Sequence, residues 1–246
     1  MKAAPHQQQR LLDLQAIDTR LDQIRHARTR LPQLAELADL QQKSEVIGSE
    51  LVRVQTAHDD VQRELRKSDA DVQQVRDRAA RDEARLNSGT GSAKDLQALQ
   101  HELESLARRQ RELEDIELEV MERAEAIESD LAELQTGRDR LAVKIAELEA
   151  SRDEALARLD EEAGQVSAPR EALTTEVGAD LLALYDKVRT SSGGLGAAPL
   201  RHRSCGGCQL ELNAVDLGRI KAAAEDEVVR CEECRRILVR TPESGV

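Results

Sequence analysis

The sequence predicts a mainly α-helical protein, in which a long antiparallel coiled-coil hairpin is followed by a small C-terminal β module. Three observations support this prediction. The chain of 246 residues is 34% charged and has one Tyr, no Phe and no Trp, a composition typical of long helices and coiled coils. Apolar residues recur at coiled-coil spacing through most of residues 1–168. All four cysteines lie in the last fifty residues, in two Cys-x-x-Cys pairs.

The two arms of the hairpin are predicted from proline content and apolar spacing. Proline, the strongest helix breaker, is absent from residues 33–168. A frame of alternating three- and four-residue steps is apolar at eleven of fifteen positions from Leu37 to Leu86, and at fifteen of nineteen from Leu96 to Leu159. Such sustained spacing with charged flanks indicates a coiled coil. The apolar stripe continues upstream of a kink or break at Pro32, through Leu14, Ile17, Leu21, Ile24 and Leu31.

A single turn cluster, Asn87 to Ser92, separates the two frames. The chain is therefore predicted to fold back near residue 90, within 87–93, with Ser92 capping the returning helix. Each arm of about 70 residues would be about 100 Å long, at about 1.5 Å of rise per residue. We assign residues 1–168 to this antiparallel hairpin.

Residues 169–196 are predicted to connect the hairpin to the last module. The stretch "ALTTEVGADLLALYDKVRT" is typical of one further helix, with Leu181, Leu184, Tyr185 and Val188 on one side. Tyr185 is expected to be a packing residue. The passage "SSGGLGAAPL" that follows resembles a linker.

The cysteines predict a metal site in residues 197–246. Cys205 and Cys208 form one pair, and Cys231 and Cys234 form the second after 22 intervening residues. Two such pairs can direct four thiolates at one centre, which is the tetrahedral arrangement of structural Zn²⁺ sites. One structural Zn²⁺ ion is therefore the expected cofactor. An iron site of the rubredoxin type, a thiol redox pair and a switch that releases zinc on oxidation remain alternatives.

The segments around the cysteines predict a zinc ribbon. "QLEL" and "RILV" alternate like short strands, and "VDLGRIKAAA" is typical of a short helix. Large apolar side chains are few after Gly196, so we expect the metal to supply most of the folding free energy of this module. His202 is expected to be an exposed loop residue, not a ligand.

At this point the chain resembles a known family over essentially its full length. The segments "LLALYDKVRTSSGGLGAAPL", "CGGCQLEL" and "CEECRRIL" are similar to those of the bacterial C4-type zinc-ribbon proteins with an N-terminal coiled coil. The resemblance implies zinc on the four cysteines, a non-enzymatic role, and binding of nucleic acid or protein. One position departs from the family, because Arg235 stands where Gly commonly follows the last cysteine. Gly suits a left-handed backbone there, so either Arg235 adopts that strained conformation or the turn differs.

Two functions follow as hypotheses. The first is a non-enzymatic adaptor or scaffold that binds a protein partner and takes no small-molecule substrate; self-association is possible. The second is an RNA- or DNA-binding regulatory factor that acts through the ribbon. The formal charge of −12 is unevenly spread, with +3 in residues 1–31, zero in 197–246 and −15 between, so phosphate contacts would fall near the ends. The best candidates for such contacts, or for contacts with a protein, are Arg201, Arg203, Arg235, Arg236 and Arg240.

Catalysis, membrane insertion and secretion are not expected. The sequence has no Gly-rich phosphate loop, acid–base pair or nucleophile motif. It also has no run of eighteen apolar residues and no signal-like N-terminus. Cysteines that occur only in Cys-x-x-Cys pairs suit a reducing compartment, so a cytoplasmic location is expected.

Overall fold

The computed structural model describes residues 1–245, in which six helices and four strands follow one another. Their bounds are α1 Pro5–Thr29, α2 Pro32–Asn87, α3 Ala93–Ser167, α4 Arg170–Val177, α5 Ala179–Ser191, β1 Ala197–Arg201, β2 Ser204–Cys205, α6 Ala214–Ala222, β3 Val229–Arg230 and β4 Ile237–Arg240. Two compact units result: Ala35–Glu149 forms one, and Met1–Leu34 with the described residues from Ala150 onward forms the other. We call them the hairpin unit and the ribbon unit.

The hairpin unit contains the predicted turn. α2 ends at Asn87 and α3 begins at Ala93. The backbone N–H of Asp95 donates to the Ser92 hydroxyl over 3.3 Å, and the Ser92 N–H donates to the Asp95 carboxylate over 3.0 Å. This reciprocal capping satisfies backbone donors at the start of α3, so the predicted capping role of Ser92 is confirmed.

The two helices of the hairpin unit are antiparallel, and the residues of the two predicted frames face each other between them. We call this line of contact the seam. Glu64 pairs with Arg123 at 2.9 Å, and Arg76 pairs with Glu114 at 2.6 Å. Ten residues between Ala35 and Glu149 are buried, and all ten occupy positions of the two predicted frames: Leu37, Leu40, Val54, Val61, Ser68, Val72, Leu106, Leu113, Val120 and Ala124.

The ribbon unit places α1 against the C-terminal module. α1 ends before Pro32, which confirms the predicted break. Its fully buried Leu11 and Leu14 share a core with Tyr185 of α5 and with Ile237 and Val239 of β4. The N-terminus joins the same unit, since the Ala3 N–H donates to the Asp226 carbonyl over 2.7 Å. The packing therefore groups α1 with the ribbon, whereas the sequence-based division assigned residues 1–168 to one segment.

The segment between α3 and β1 forms two helices, not the one that was predicted. Gly178 separates α4 from α5 with φ of +85°, a backbone conformation that only Gly adopts readily. The predicted apolar face is present, with Leu181, Tyr185 and Val188 buried on α5.

Four short strands form one sheet in the order β2-β1-β4-β3. β1 pairs with β4 in parallel, and β2 and β3 each add an antiparallel edge. β4 confirms the strand predicted at "RILV", and α6 confirms the short helix. The prediction of a strand at "QLEL" is wrong, because only Glu211 there makes an isolated bridge, to Ser204. The apparent linker "AAPL" instead forms β1. Within residues 1–245, no helix combines the length and apolar character needed to cross a membrane.

Candidate metal centre

The first cysteine pair lies in a tight turn that follows β2. The Gln209 N–H donates to the Cys205 carbonyl over 2.8 Å, and the Cys205 N–H donates to the Leu210 carbonyl over 3.0 Å. Gln209 closes the turn with φ of +62°. These backbone bonds direct the Sγ atoms of Cys205 and Cys208 to the same side of the turn.

The second pair repeats this geometry. The Arg235 N–H donates to the Cys231 carbonyl over 2.9 Å, and the Cys231 N–H donates to the Arg236 carbonyl over 3.0 Å. Arg235 has φ of +63°, which settles the question raised by its departure from the family. Arg235 takes the left-handed conformation that Gln209 has at the same place in the first turn, at a cost of about 1–2 kcal/mol.

The four sulfurs meet at one point between the two turns. Cys205 Sγ lies 3.8 Å from Cys234 Sγ, and Cys208 Sγ lies 3.9 Å from Cys231 Sγ. All four sulfurs lie within 4.8 Å of one another. A tetrahedral ion with bonds of about 2.3 Å holds its sulfurs about 3.8 Å apart. The cysteines are free thiols, and their arrangement fits a four-coordinate metal ion.

The electrostatics of the four thiols differ. Cys205 and Cys231 are buried, and burial raises the pKa of Cys205 to about 12 and raises that of Cys231. Burial acts in the same direction on Cys234, but hydrogen bonds from the backbone and side chain of Arg236 and from the Cys231 and Cys208 thiols together outweigh it and lower the pKa of Cys234 to about 7. Without a cation, Cys234 is therefore a thiolate more readily than the two buried cysteines. Metal binding must displace the remaining protons.

An apolar cluster surrounds the cysteines. Its members come from β1, from the loop before α6, from α6 and from β4, and they are Leu200, Leu212, Leu217, Ile220 and Leu238. The cysteines therefore lie within an apolar core, although the sequence indicated that large apolar side chains are few after Gly196. The signal was present in the apolar side of "VDLGRIKA", where Leu217 and Ile220 lie three residues apart.

Glycines allow the first turn to approach its neighbours. A Cβ atom at Gly206 would lie 2.9 Å from the Pro199 carbonyl oxygen, and one at Gly207 would lie 2.7 Å from Arg236 Cδ. Larger residues at either position would push the turn away from β1 or from Arg236.

Arg236 and Arg240 hold backbone in place. Arg236 donates to the carbonyls of Ser192 at 2.9 Å and Leu195 at 3.0 Å. Arg240 donates to four carbonyls within 3.0 Å, those of Ala223, Ala224, Glu225 and Glu227. Their hydrogen-bonding capacity is used inside the fold, which makes them poorer candidates for a partner contact than the sequence suggested.

The other three candidate arginines are exposed, but they do not form one group. Arg201 pairs with Glu243 at 3.2 Å. Arg235 instead shares a cleft of about 250 Å³ with Arg219 and Arg230. Glu232 lies in the same cleft and pairs with Arg219 at 2.5 Å and with Arg235 at 3.2 Å.

Arg203 and His202 lie at the tight connection between β1 and β2, with φ of +66° and +45°. Both are exposed. The expectation that His202 is an exposed loop residue is confirmed.

Sequence reasoning missed a buried polar cluster behind the sheet. Asp18 of α1 is 2% exposed. It accepts hydrogen bonds from the Tyr185 hydroxyl at 2.9 Å and Arg170 Nε at 2.8 Å, and Arg189 Nε lies 3.7 Å away. Tyr185 is a packing residue as predicted, and it also satisfies a buried charge. The available signal was the position of Asp18 four residues after Leu14, on the apolar stripe.

Family comparisons agree with this architecture. Residues 14–193 match the family model of the CT398-like coiled coil hairpin domain, and residues 204–238 match that of the C4-type zinc ribbon domain. An uncharacterized protein of Mycobacterium tuberculosis is 39% identical over 240 residues, 98% of each chain. An uncharacterized protein of Mycobacterium leprae is 30% identical over 217 residues, 88% of this chain and 93% of that one.

Solved structures have the same fold. A structure from Mycobacterium smegmatis is 37% identical, with a TM-score of 0.85 over 98% of this chain and 100% of that chain. The structure of CT398 from Chlamydia trachomatis has a TM-score of 0.70 at 19% identity, over 96% of this chain and 98% of that one. This protein belongs to the family of CT398-like coiled-coil hairpin proteins that end in a C4-type zinc ribbon.

Proposed function

We propose that the protein is a non-enzymatic scaffold in which one structural Zn²⁺, bound by Cys205, Cys208, Cys231 and Cys234, organises the ribbon. The observation that supports this most directly is the convergence of the four sulfurs, with opposite pairs 3.8 and 3.9 Å apart. Four thiolates complete a tetrahedral coordination sphere and leave no position for a substrate or a reactive water. Such a site stabilises a fold and does not perform chemistry.

Metal content tests the first half of this proposal. The full chain, purified without added metal, is expected to contain one zinc and no iron per chain by elemental analysis. His202→Ala, an exposed neighbour that does not coordinate, should keep the zinc, whereas Cys231→Ala should lose it. Iron in place of zinc, or an ordered ribbon without any metal, would contradict the proposal.

The partner of the scaffold is proposed to be a protein. Several apolar side chains of the hairpin unit face solvent, among them Val46 with 64% and Leu118 with 57% of its surface exposed, and exposed apolar surface favours protein contacts. The thiols suit a reducing compartment such as the cytoplasm.

Photo-cross-linking tests the nature of the partner. A photo-reactive side chain in place of Leu118, in the full chain inside cells, is expected to give protein adducts that resist nuclease. A second probe in place of Lys221, on the exposed side of α6, reports on the ribbon. Adducts formed only with RNA or DNA would favour the second candidate, and no adducts at either position would contradict a scaffold.

Nucleic-acid binding is the second candidate, favoured by the cleft where Arg219, Arg230 and Arg235 meet. Glu232 neutralises part of that positive charge, so we rank nucleic-acid binding below protein binding. The test compares retention on RNA and DNA at low salt between two proteins. One is the cleft variant, which carries both Arg219→Ala and Arg235→Ala, and the other is the control Arg201→Ala. Loss confined to the cleft variant, with a smaller salt dependence, would support a phosphate site. Arg236 and Arg240 are left intact, because their removal would disturb the fold.

A further inference from the structure

One flank of the hairpin unit carries a groove between α2 and α3. It consists of two adjoining hollows of about 510 and 370 Å³ that share Ile47. Together they extend from Asp39 to Val54 on α2 and from Asp130 to Leu141 on α3. Fifteen residues of α-helix span about 22 Å, or about four turns. The groove therefore has the length of a short helix.

The groove is apolar because of two departures from the coiled-coil pattern. Val46 lies outside the predicted frame and is 64% exposed, so packing between α2 and α3 does not account for it. Gly137 leaves a gap, since a Cβ atom there would meet only Ile47 Cδ1, at 3.8 Å. The apolar lining consists of Val46, Ile47, Val54, Leu134, Leu141 and Gly137.

The rim of the groove has excess negative charge. Lys43 pairs with Asp39 at 2.7 Å, and Arg53 pairs with Glu50. The lining as a whole has four acidic and two basic residues, and Asp130, which also attracts Arg53, and Glu133 are the acidic residues that α3 contributes. They end a stretch of α3, from Glu112 to Glu133, that has ten acidic residues and one basic residue. Clustered charge of one sign attracts a partner of the opposite sign and raises its association rate.

We propose that this groove binds a basic amphipathic helix of a partner protein, which deepens the scaffold function and rests on it. Apolar side chains of the partner at positions i, i+3 or i+4, and i+7 would enter the hollows beside Val46 and Gly137, as in other helix-in-groove complexes. Lys or Arg side chains on its flanks would face Asp130 and Glu133. A second copy of the hairpin is a poor occupant, because residues 35–149 have a net charge of −11 and the two copies would repel each other.

A peptide assay on the full chain tests the chemistry of the groove. The probe is a synthetic helical peptide of about 15 residues, with Leu on one face and Lys on the other, and its counterpart has Glu in place of Lys. By fluorescence anisotropy at physiological salt, the Lys peptide is expected to bind at least tenfold more tightly than the Glu peptide.

The matched substitutions are Gly137→Leu, which fills the groove, and Gly48→Leu, which does not line it and has nothing within 4 Å. Both preserve charge, and both replace a helical Gly with a better helix former, so neither should lower the melting temperature. Gly137→Leu is expected to weaken binding of the Lys peptide at least tenfold, and Gly48→Leu less than twofold. Equal binding by both variants would show attraction by charge alone and overturn the proposal.

The native partner separates failure of this proposal from failure of the scaffold function. Cross-linking in cells is repeated in the Gly137→Leu and Gly48→Leu backgrounds, with the photo-reactive side chain in place of Gln42 at the edge of the groove as well as in place of Leu118. Protein adducts lost only in Gly137→Leu, and mapped to a basic helical segment of the captured protein, support the groove. Adducts retained in both backgrounds overturn the groove but leave the scaffold intact, whereas no adducts in the parent protein contradict the scaffold itself. A dimer of the parent protein that Gly137→Leu dissociates would instead assign the groove to self-association.

Discussion

Leu14 in α1 and Leu113 in α3 are both apolar helix residues in the predicted stripes, but different kinds of neighbour bury them. Leu14 is fully buried in a core that includes Tyr185, Ile237 and Val239. Leu113 is 6% exposed and lies in the seam of an antiparallel helix pair. The ribbon unit thus depends on contacts between residues more than 170 positions apart. In the hairpin unit, the same kind of contact between two facing helices recurs along their length. A substitution in the hairpin unit should therefore destabilise only the residues near it, whereas one in the ribbon unit should also destabilise distant segments.

Among the substitutions considered, loss of a proposed metal ligand should destabilise the ribbon unit most. Cys231→Ala is expected to abolish metal binding, which contributes about 10–16 kcal/mol in small zinc modules. β4 connects two clusters, because Leu238 packs around the cysteines while Ile237 and Val239 pack on α1. Hydrogen exchange should therefore show lost protection in α6, β4 and part of α1.

The hairpin unit is the internal control for that experiment. Protection of the seam between residues 54 and 124 should be unchanged in Cys231→Ala, and His202→Ala should resemble the parent protein throughout. Unchanged protection of α1 in the metal-free variant would show that the ribbon folds without support from the helical core.

The matched pair Leu14→Ala and Leu113→Ala measures the contrast directly. We expect Leu14→Ala to lower the free energy of unfolding by about 3–5 kcal/mol, because a fully enclosed site cannot collapse around the cavity. Leu113→Ala should cost about 2–3 kcal/mol, since solvent-flanked neighbours can relax. Local hydrogen exchange gives both values, and equal costs would contradict the comparison.

A substitution in the buried cluster around Asp18 should cause the next largest loss of stability. Tyr185→Phe removes the hydroxyl that donates to Asp18 and is expected to cost about 1–3 kcal/mol, because a buried acceptor loses a partner. Leu184→Ile, a conservative change on the same helix, serves as the control. If Tyr185→Phe lowers the free energy of unfolding less than the control does, Arg170 and Arg189 are sufficient partners for the Asp18 carboxylate without the tyrosine hydroxyl.

The same tyrosine gives a pH dependence. Burial and the hydrogen bond to Asp18 raise the pKa of Tyr185 above its ordinary value of 10.0. The folded state therefore favours the protonated phenol, so this contribution to stability is complete below pH 10 and falls as the pH rises above it. Because Tyr185 is the only aromatic residue of the chain, tyrosinate absorbance reports on it alone. It should appear only when the ribbon unit unfolds, and a titration near pH 10 in the folded protein would contradict the burial.

An ion pair across the seam should have the smallest effect. Glu64 and Arg123 are 2.9 Å apart, with about half of each side chain exposed. Exposed pairs contribute about 0–1 kcal/mol and are screened by salt. Glu64→Gln is therefore expected to change the melting temperature of the hairpin by at most a few degrees, and less at high salt. A larger loss would mean that ion pairs, more than the seam, hold this unit together.

Local sequence features predicted the hairpin and the clustering of the four cysteines well. Apolar spacing identified all ten buried positions of the hairpin unit, and the turn cluster located the reversal. The convergence of the four sulfurs followed from two Cys-x-x-Cys pairs, because each pair forms a turn of fixed geometry. The Gly commonly found after the last cysteine marked the position where Arg235 has a left-handed backbone.

The errors have a common origin in contacts between distant segments. The strand at "AAPL" forms because it pairs with β4, forty residues later, and nothing in its own composition indicates this. Arg236 and Arg240 looked like surface charges, but they hold carbonyls of other segments. Gly178 divides a stretch that has a continuous helical pattern, at a point where a Cβ atom would lie 3.0 Å from Nε2 of Gln7 in α1.

The amino-acid order alone was sufficient for the paired helices, their reversal and the grouping of the four cysteines, because each depends on neighbours within a few residues or on a repeated spacing. The grouping of α1 with the ribbon, the burial of Asp18 and the roles of the arginines required the folded chain. The first two features arise where segments separated by 150 to 230 residues meet, and Arg236 and Arg240 donate to carbonyls 13 to 44 residues away. No local pattern encodes which distant surface will bury a side chain.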